Sequence, residues 1–123
     1  PEPVRRYFAA ANADEWGDFP DLWHPDAELV AFGRDGLRVR RGREEVLRYY
    51  DGLFAPWSEH HDEVTRAIVC GGSVTAEITF TGRTHDGTPV TFDVLDLFDL
   101  EDGRIRRLAI WHDVLRVRAM LRG

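Results

Sequence analysis

The chain has 123 residues, a net charge of −6 and 43% hydrophobic residues, which suits one globular domain with a core and is too short for two. All 16 basic residues are arginine and the single cysteine is Cys70, so lysine Schiff-base chemistry, an internal disulfide and a cysteine-rich metal site are excluded. The charge balance and the absence of a long apolar run argue against nucleic-acid and membrane partners. We expect one cytoplasmic domain over residues 1–123.

The first third of the chain predicts two helices and a strand. Apolar residues at helical spacing mark the first helix, at Val4, Tyr7, Phe8 and Ala11. A short second helix is predicted over Phe19–His24, ended by Pro25. A strand over Asp26–Phe32 follows, and residues 33–36, with glycine at both ends, predict a turn.

The remainder predicts one helix and a meander of four strands. The helix spans Arg43–Phe54 and is stopped by Pro56. Glycine-containing turn signals separate the strands, which are His60–Val69, Ser73–Thr84, Thr88–Leu100 and Arg104–Leu115. Helices followed by an antiparallel meander indicate an α+β fold. We expect the helices to pack in a strongly curved, mostly antiparallel sheet that forms a cone with an apolar pocket.

An acid interrupts one face of the third meander strand. Alternate residues of a strand point to opposite faces, and here one face carries Val90, Phe92, Val94, Asp96 and Phe98. An unpaired ionised carboxylate among apolar side chains costs several kcal/mol (roughly 2–7 even for a neutral polar group). The pattern therefore favours a buried, protonated Asp96. In the alternative interpretation, Leu95 and Leu97 mark the buried face and Asp96 is solvated.

Four stretches of the sequence, by their order and spacing, resemble the nuclear-transport-factor-2-like superfamily. Within that superfamily, the chain is most similar to the ketosteroid isomerase and SnoaL-like polyketide cyclase group. The stretches are Arg6–Ala13, His24–Val30, Arg41–Val46 and Asp96–Ile105. The resemblance covers nearly the whole chain and implies a cystatin-like α+β barrel. Because this fold hosts many functions, the resemblance alone does not define an activity.

The resemblance also implies an oxyanion hole. Tyr7 falls on the position of a tyrosine that donates to the dienolate oxygen in ketosteroid isomerases, and Asp96 on that of the neutral acid beside it. The position of the proton-shuttling aspartate holds Ala31, so a base must come from elsewhere. We consider His112, whose ordinary pKa suits proton transfer, and Asp113, which resembles the base of SnoaL-like cyclases. Because adjacent residues of a strand point to opposite faces, at most one of them is expected to face the pocket. Alternatively, His112 has only a structural role, and Asp113 is a strand-end cap or a surface charge.

The expected function is that of a cofactor-independent isomerase or cyclase acting on an apolar cyclic ketone, without a metal. The expected pocket wall comprises Phe8, Phe32, Tyr50, Phe54, Phe80, Phe92, Val94, Phe98, Leu108 and Ile110. One alternative is an epoxide hydrolase that uses Arg83, Asp96 and Asp113. Others are a non-catalytic protein that binds a hydrophobic metabolite and a dimeric association module.

An apolar patch is expected on the outer face of the sheet. It would consist of Leu95, Leu97, Ala109 and Trp111, and a patch of this kind needs to be covered. Relatives commonly dimerise through this surface, so the resemblance predicts a homodimer with twofold symmetry.

Overall fold

A computed structural model describes residues 1–33 and 36–122. The elements in chain order are α1 (Glu2–Ala13), a 3₁₀ helix (Phe19–Leu22), β1 (Trp23–Gly33), β2 (Gly36–Arg41), α2 (Arg43–Leu53), β3 (Trp57–Cys70), β4 (Ser73–Thr84), β5 (Pro89–Glu101), β6 (Arg104–Trp111) and α3 (Val114–Arg122). Within these ranges, no helix has both the length and the apolar character needed to cross a membrane. The turn predicted at 33–36 has its centre, Arg34 and Asp35, outside the described residues.

The described strands form one curved sheet in the order β2-β1-β6-β5-β4-β3. Neighbouring strands are antiparallel, except that β1 and β6 run parallel. The sheet does not close, so β2 and β3 are its edges. The expected α+β architecture with a mostly antiparallel curved sheet is confirmed, although the barrel stays open.

Helices α1 and α2 contribute their apolar faces to one core with the sheet. The predicted stripe of α1 is buried at Val4, Tyr7, Phe8 and Ala11, and α2 buries Val46 and Tyr50. These side chains share the core with Trp23, Leu29, Phe98 and Leu108 from the sheet. The core therefore fills one end of the curved sheet and leaves room beside it.

Predicted boundaries differ from the structure in three places. Strand β3 begins at Trp57 instead of His60. The second helix ends at Leu22, and Trp23 starts β1, where it is fully buried. The last strand ends at Trp111 instead of Leu115. The Asp113 carboxylate accepts a hydrogen bond at 3.0 Å from the backbone N–H of Arg116, which is the geometry of a helix N-cap. A new helix, α3, therefore begins where strand alternation was expected to continue.

Candidate active site

A cavity of about 210 Å³ opens beside the core, between the three α-helices and strands β3–β6. Most of its wall is aliphatic or aromatic, as in small-molecule sites. The lining side chains are Tyr7, Tyr49, Leu53, Phe54, Pro56, Trp57, Asp62, Ile78, Phe80, Phe92, Val94, Asp96, Ile110, His112, Val117 and Leu121. The lining side chains with polar groups are therefore two carboxyl groups, two phenols, one imidazole and the indole of Trp57.

Asp96 is the most deeply placed of these polar groups. Its side chain is on the inner face of β5 with Phe98, and Asp96 is only 3% exposed, so the predicted parity of this strand is confirmed. Within the described residues its Oδ1 atom has no hydrogen-bond partner. Burial, and secondly the charge of Asp62, raise the pKa of Asp96 well above its ordinary value. Both influences favour the neutral carboxylic acid, which is the form that has a proton to donate into the cavity.

Tyr7 reaches the cavity from α1. Its hydroxyl lies 2.8 Å from the hydroxyl of Tyr50, which belongs to the core and does not line the cavity. Burial raises the pKa of Tyr7 well above its ordinary value, and the charges of Tyr50 and Asp96 add to the effect. When Tyr50 donates to Tyr7, the Tyr7 proton is free for a ligand. With Tyr50 as the donor of that bond, Tyr7 and Asp96 would each have a proton to donate into the same cavity.

His112 and Asp113 separate, with only one of them at the cavity, but both follow the end of β6 at Trp111, so strand parity is not the reason. His112 lines the cavity with its ring centroid 5.6 Å from that of Phe92. Burial lowers the pKa of His112, while Asp113 opposes that shift, so a neutral imidazole is favoured. Asp113 does not line the cavity; it is exposed and caps α3. Its expected place as a pocket base is corrected, because its carboxylate is occupied by the helix terminus.

Part of the expected wall is also corrected. Phe54, Phe80, Phe92, Val94 and Ile110 line the cavity, as expected. The side chains that belong to the core instead are Phe8, Tyr50, Phe98 and Leu108. Phe32 packs against Trp111, with ring centroids 5.1 Å apart. Periodicity identifies which face of a helix or strand a residue occupies but not its depth along that element, which is why core and cavity positions were not separated.

Asp62 is a cavity residue that sequence reasoning missed. It lies on β3, and its backbone N–H donates to Asn12 Oδ1 at 2.8 Å while its carbonyl accepts from Asn12 Nδ2 at 2.9 Å. Burial raises the pKa of Asp62, and His60 and His61 lower it. The sequence around Asp62 is polar and carries no alternation that would mark it. Its inward position follows from the register of β3, which pairs it with the buried Phe80 of β4.

Tyr49 and Trp57 are further lining residues that the sequence did not single out. Burial raises the pKa of Tyr49 to about 12, although the Arg40 guanidinium, 4.7 Å from the ring centroid, opposes the shift. Trp57 lies close to Gly82, where an added Cβ would come within 2.7 Å of the indole. That glycine therefore allows Trp57 to form part of the cavity wall.

Arg83 lies away from this cavity. It is exposed near the end of β4 and donates to the carbonyl of Gly87 at 2.8 Å. No arginine lines the cavity within the described part of the chain. Over the same residues, no group of three or more His, Cys, Asp or Glu side chains is arranged to hold a metal ion.

The SnoaL-like domain model matches residues 4–108, which is most of the chain. The chain belongs to the SnoaL-like domain family. No curated protein matches the sequence at a significant level.

Solved structures show the same SnoaL-like fold. A candidate SnoaL-like polyketide cyclase from Jannaschia sp. CCS1 is 21% identical, with a TM-score of 0.85 over 98% of this chain and 89% of the other. IdmH from Streptomyces antibioticus, a candidate polyketide cyclase, is 20% identical, with a TM-score of 0.82 over 99% and 97%. A Catenulispora acidiphila protein with a ketosteroid isomerase-like fold, in complex with trimethylamine, is 22% identical, with a TM-score of 0.83 over 98% and 92%. These likenesses establish the fold of this SnoaL-like domain, which suits binding of a small molecule.

Proposed function

We propose that this protein is a cofactor-independent isomerase or cyclase that stabilises the enolate of an apolar cyclic ketone. The observation that carries the proposal is the Asp96 carboxyl, which is buried in an apolar cavity with Oδ1 lacking a partner within the described residues. An unpaired buried polar group costs about 1–3 kcal/mol. A ligand oxygen that accepts from Asp96 would recover that cost.

Charge develops on the carbonyl oxygen when a neighbouring carbon loses a proton. Neutral donors placed beforehand in a water-poor cavity stabilise this charge more than water does, and losing one donor typically costs about 10²–10³ in rate. In this proposal Asp96 and Tyr7 are the two donors to the enolate oxygen, and the raised pKa of each group favours its protonated form. The pair would therefore bind an enolate better than the parent ketone.

The cavity volume limits the part of a substrate that it can enclose. Drug-sized ligands occupy sites of roughly 300–1,000 Å³, and an apolar cavity of about 150 Å³ holds a single benzene ring. A cavity of about 210 Å³ therefore suits a reacting portion of one or two rings, with the rest of a larger polyketide or steroid at the mouth.

Two alternative functions account for fewer features of the site. An epoxide hydrolase of this fold would need an arginine near its acids, but Arg83 lies outside the cavity. A non-catalytic binding protein for a hydrophobic metabolite is favoured by Ala31, which stands where the family's proton shuttle would be. This second alternative predicts ligand binding that does not depend on Asp96.

Titration with a naphthol, a phenol that resembles a dienolate, tests the proposal. The wild type should bind it and shift its ultraviolet and fluorescence spectra, because the donors stabilise the phenolate form. Asp96→Ala should lose the shift and Tyr7→Phe should weaken it. Asp93→Ala, on the exposed face of the same strand, is the matched control and should behave as wild type. Equal binding by the wild type and Asp96→Ala would contradict the oxyanion hole and favour the binding protein.

A further inference from the structure

We propose that the Asp62 carboxylate is the general base of this cavity, in the role that Ala31 cannot fill. This inference rests on the proposed function, because a base is needed only if the cavity forms an enolate. Asp62 and Asp96 line the same cavity from β3 and β5, with β4 between them. A ketone held between the two strands would thus meet a hydrogen-bond donor on one side and a proton acceptor on the other.

Hydrogen bonds from α1 hold the backbone of Asp62 in place, although Asp62 lies on an edge strand. β3 is the last strand of the sheet, so its outer peptide groups have no neighbouring strand. The Asn12 amide supplies the missing partners, with hydrogen bonds of 2.8 and 2.9 Å to the N–H and C=O of Asp62. Asn12 and Tyr7 are both on α1. One helix therefore positions both the base and one oxyanion donor, which favours a productive geometry.

The two acids differ in their surroundings, and this difference separates their roles. Asp96 is almost fully buried, whereas Asp62 is half-buried. Burial raises the pKa of Asp62, but His60 and His61 pull it back, and the Asp62 charge itself pushes the pKa of Asp96 further up. Asp62 therefore ionises first and Asp96 keeps its proton. Such a divergence between neighbouring titratable groups is the signature of acid and base assignments.

The proton transfer balances without any further reactant. The Asp62 carboxylate takes a proton from the carbon beside the ketone carbonyl, and the C–H electron pair becomes the enolate double bond. The negative charge moves to the oxygen, which accepts hydrogen bonds from Asp96 and Tyr7. Protonated Asp62 then returns its proton to carbon, at the original position or at a conjugated one. If the half-buried Asp62 first exchanges its proton with solvent water, return to the original carbon exchanges the hydrogen. Return to a conjugated carbon isomerises the ketone.

Exchange of the α-hydrogens of 2-tetralone in D₂O, followed by NMR, tests the role of Asp62. The wild type should catalyse exchange, and Asp62→Asn should lower the enzymatic rate at least about 10²-fold, the usual contribution of a general base. Asn keeps the size of the side chain and leaves the backbone contacts with Asn12 available. Glu63→Gln, at the next and exposed position of β3, is the matched control and should retain exchange. His112→Gln changes a side chain that lines the cavity, and it should retain more exchange than Asp62→Asn because the imidazole is not the base.

Naphthol binding separates failure of this inference from failure of the proposed function. Asp62→Asn should bind naphthol within a few-fold of wild type, which also shows that the variant is folded. Unchanged exchange in Asp62→Asn would overturn the inference, and so would loss of exchange in His112→Gln alone. The inference would also be overturned if naphthol binding depends on Asp96 but the wild type catalyses no exchange. Naphthol binding indifferent to Asp96→Ala would instead overturn the proposed function.

Discussion

The Asp96 carboxyl stays neutral because of what surrounds it. Phe98 lies two residues further on the same face of β5, and the cross-strand partners are Ala76 and Ile110, so no described cation lies beside it in the sheet. Transfer of an ionised carboxylate into such surroundings costs far more than transfer of the acid. The folded state therefore holds the Asp96 proton more tightly than the unfolded chain does.

The retained proton makes the stability of the protein depend on pH. The pKa of Asp96 is higher in the folded protein than in the unfolded chain, so binding of its proton stabilises the folded state. This stabilisation is complete below the unfolded-state pKa of about 3.9, and it is lost as the pH rises towards the folded-state pKa. Asp96→Asn cannot ionise. We expect its stability relative to wild type to increase from pH 4 to pH 8, by at most about 1.4 kcal/mol per pH unit. Urea unfolding across this range measures it; a difference between the two proteins that is constant with pH would contradict the prediction.

At the residue scale, the sequence predicts Asp96 better than Asp62. Asp96 interrupts an otherwise apolar alternation, which is a local signal that survives without a structure. Asp62 stands among polar residues, and its exposure depends on the curvature of the sheet and on Asn12, which contacts it from 50 positions earlier in the chain. Contacts of this kind follow from tertiary packing and leave no periodic pattern.

Helix α3 closes one side of the cavity with Val117 and Leu121. It has only 9 residues, and isolated helices of this length are marginal in water. Its order therefore depends on its apolar contacts and on the Asp113 cap. From the sequence, β6 was expected to continue to Leu115, because Val114 and Leu115 extend a strand-like apolar pattern. The cap outweighs that pattern, since a helix start at Asp113 satisfies backbone N–H groups that the sheet does not reach.

Removing the cap should loosen α3 without altering the acids. Asp113→Ala should cost about 0.5–2 kcal/mol of local helix stability and weaken naphthol binding, while the spectrum of the bound phenol stays unchanged. Hydrogen exchange of the amides in α3, together with the titration, measures both effects. Asp113→Asn, which can still cap the helix, is the control and should behave as wild type. Wild-type protection of α3 in Asp113→Ala would show that the cap does not hold the helix.

Strand β2 is the other element that the sequence did not predict. It has six residues, of which Leu37 and Val39 are exposed, and the remainder are mainly arginine and glycine. It forms because its backbone pairs with β1, including Val39 opposite Val30. An edge strand that buries little has a weak hydrophobic pattern, so pairing with a long neighbour specifies it more than its own composition does.

For the whole molecule, turn signals and the order of helices and strands were sufficient to predict the fold class. The parallel contact between β1 and β6 and the open barrel were not predictable in this way, because they depend on how far the sheet curves. The expected outer patch is only partly exposed: Leu95 is 36% and Trp111 is 40% exposed, whereas Ala109 is buried.

We expect the exposed part of this outer face to form a homodimer interface. Leu95 and Trp111 are cross-strand neighbours on β5 and β6, and covering them would remove a joint apolar surface from water. Trp111→Glu should therefore shift the protein towards monomer, because a buried carboxylate would face its own copy across the twofold axis. Sedimentation velocity over a range of concentrations measures the shift. Leu115→Glu, which changes an exposed residue on α3, is the control; a monomeric wild type at all concentrations would contradict the expectation.

The far half of β3 has a consequence for how the protein behaves at high concentration. Beyond Asp62 this edge strand exposes Val64, Ile68 and Val69, and an apolar edge is a template for strands of other molecules, the first step of fibril growth. Two features guard it. The register shifts between Val64 and Arg66, as at a β-bulge, which bends the edge, and the Arg66 charge, paired with Glu77 at 3.6 Å, interrupts the apolar run. We therefore expect Arg66 to oppose aggregation at the edge of the strand that carries Asp62.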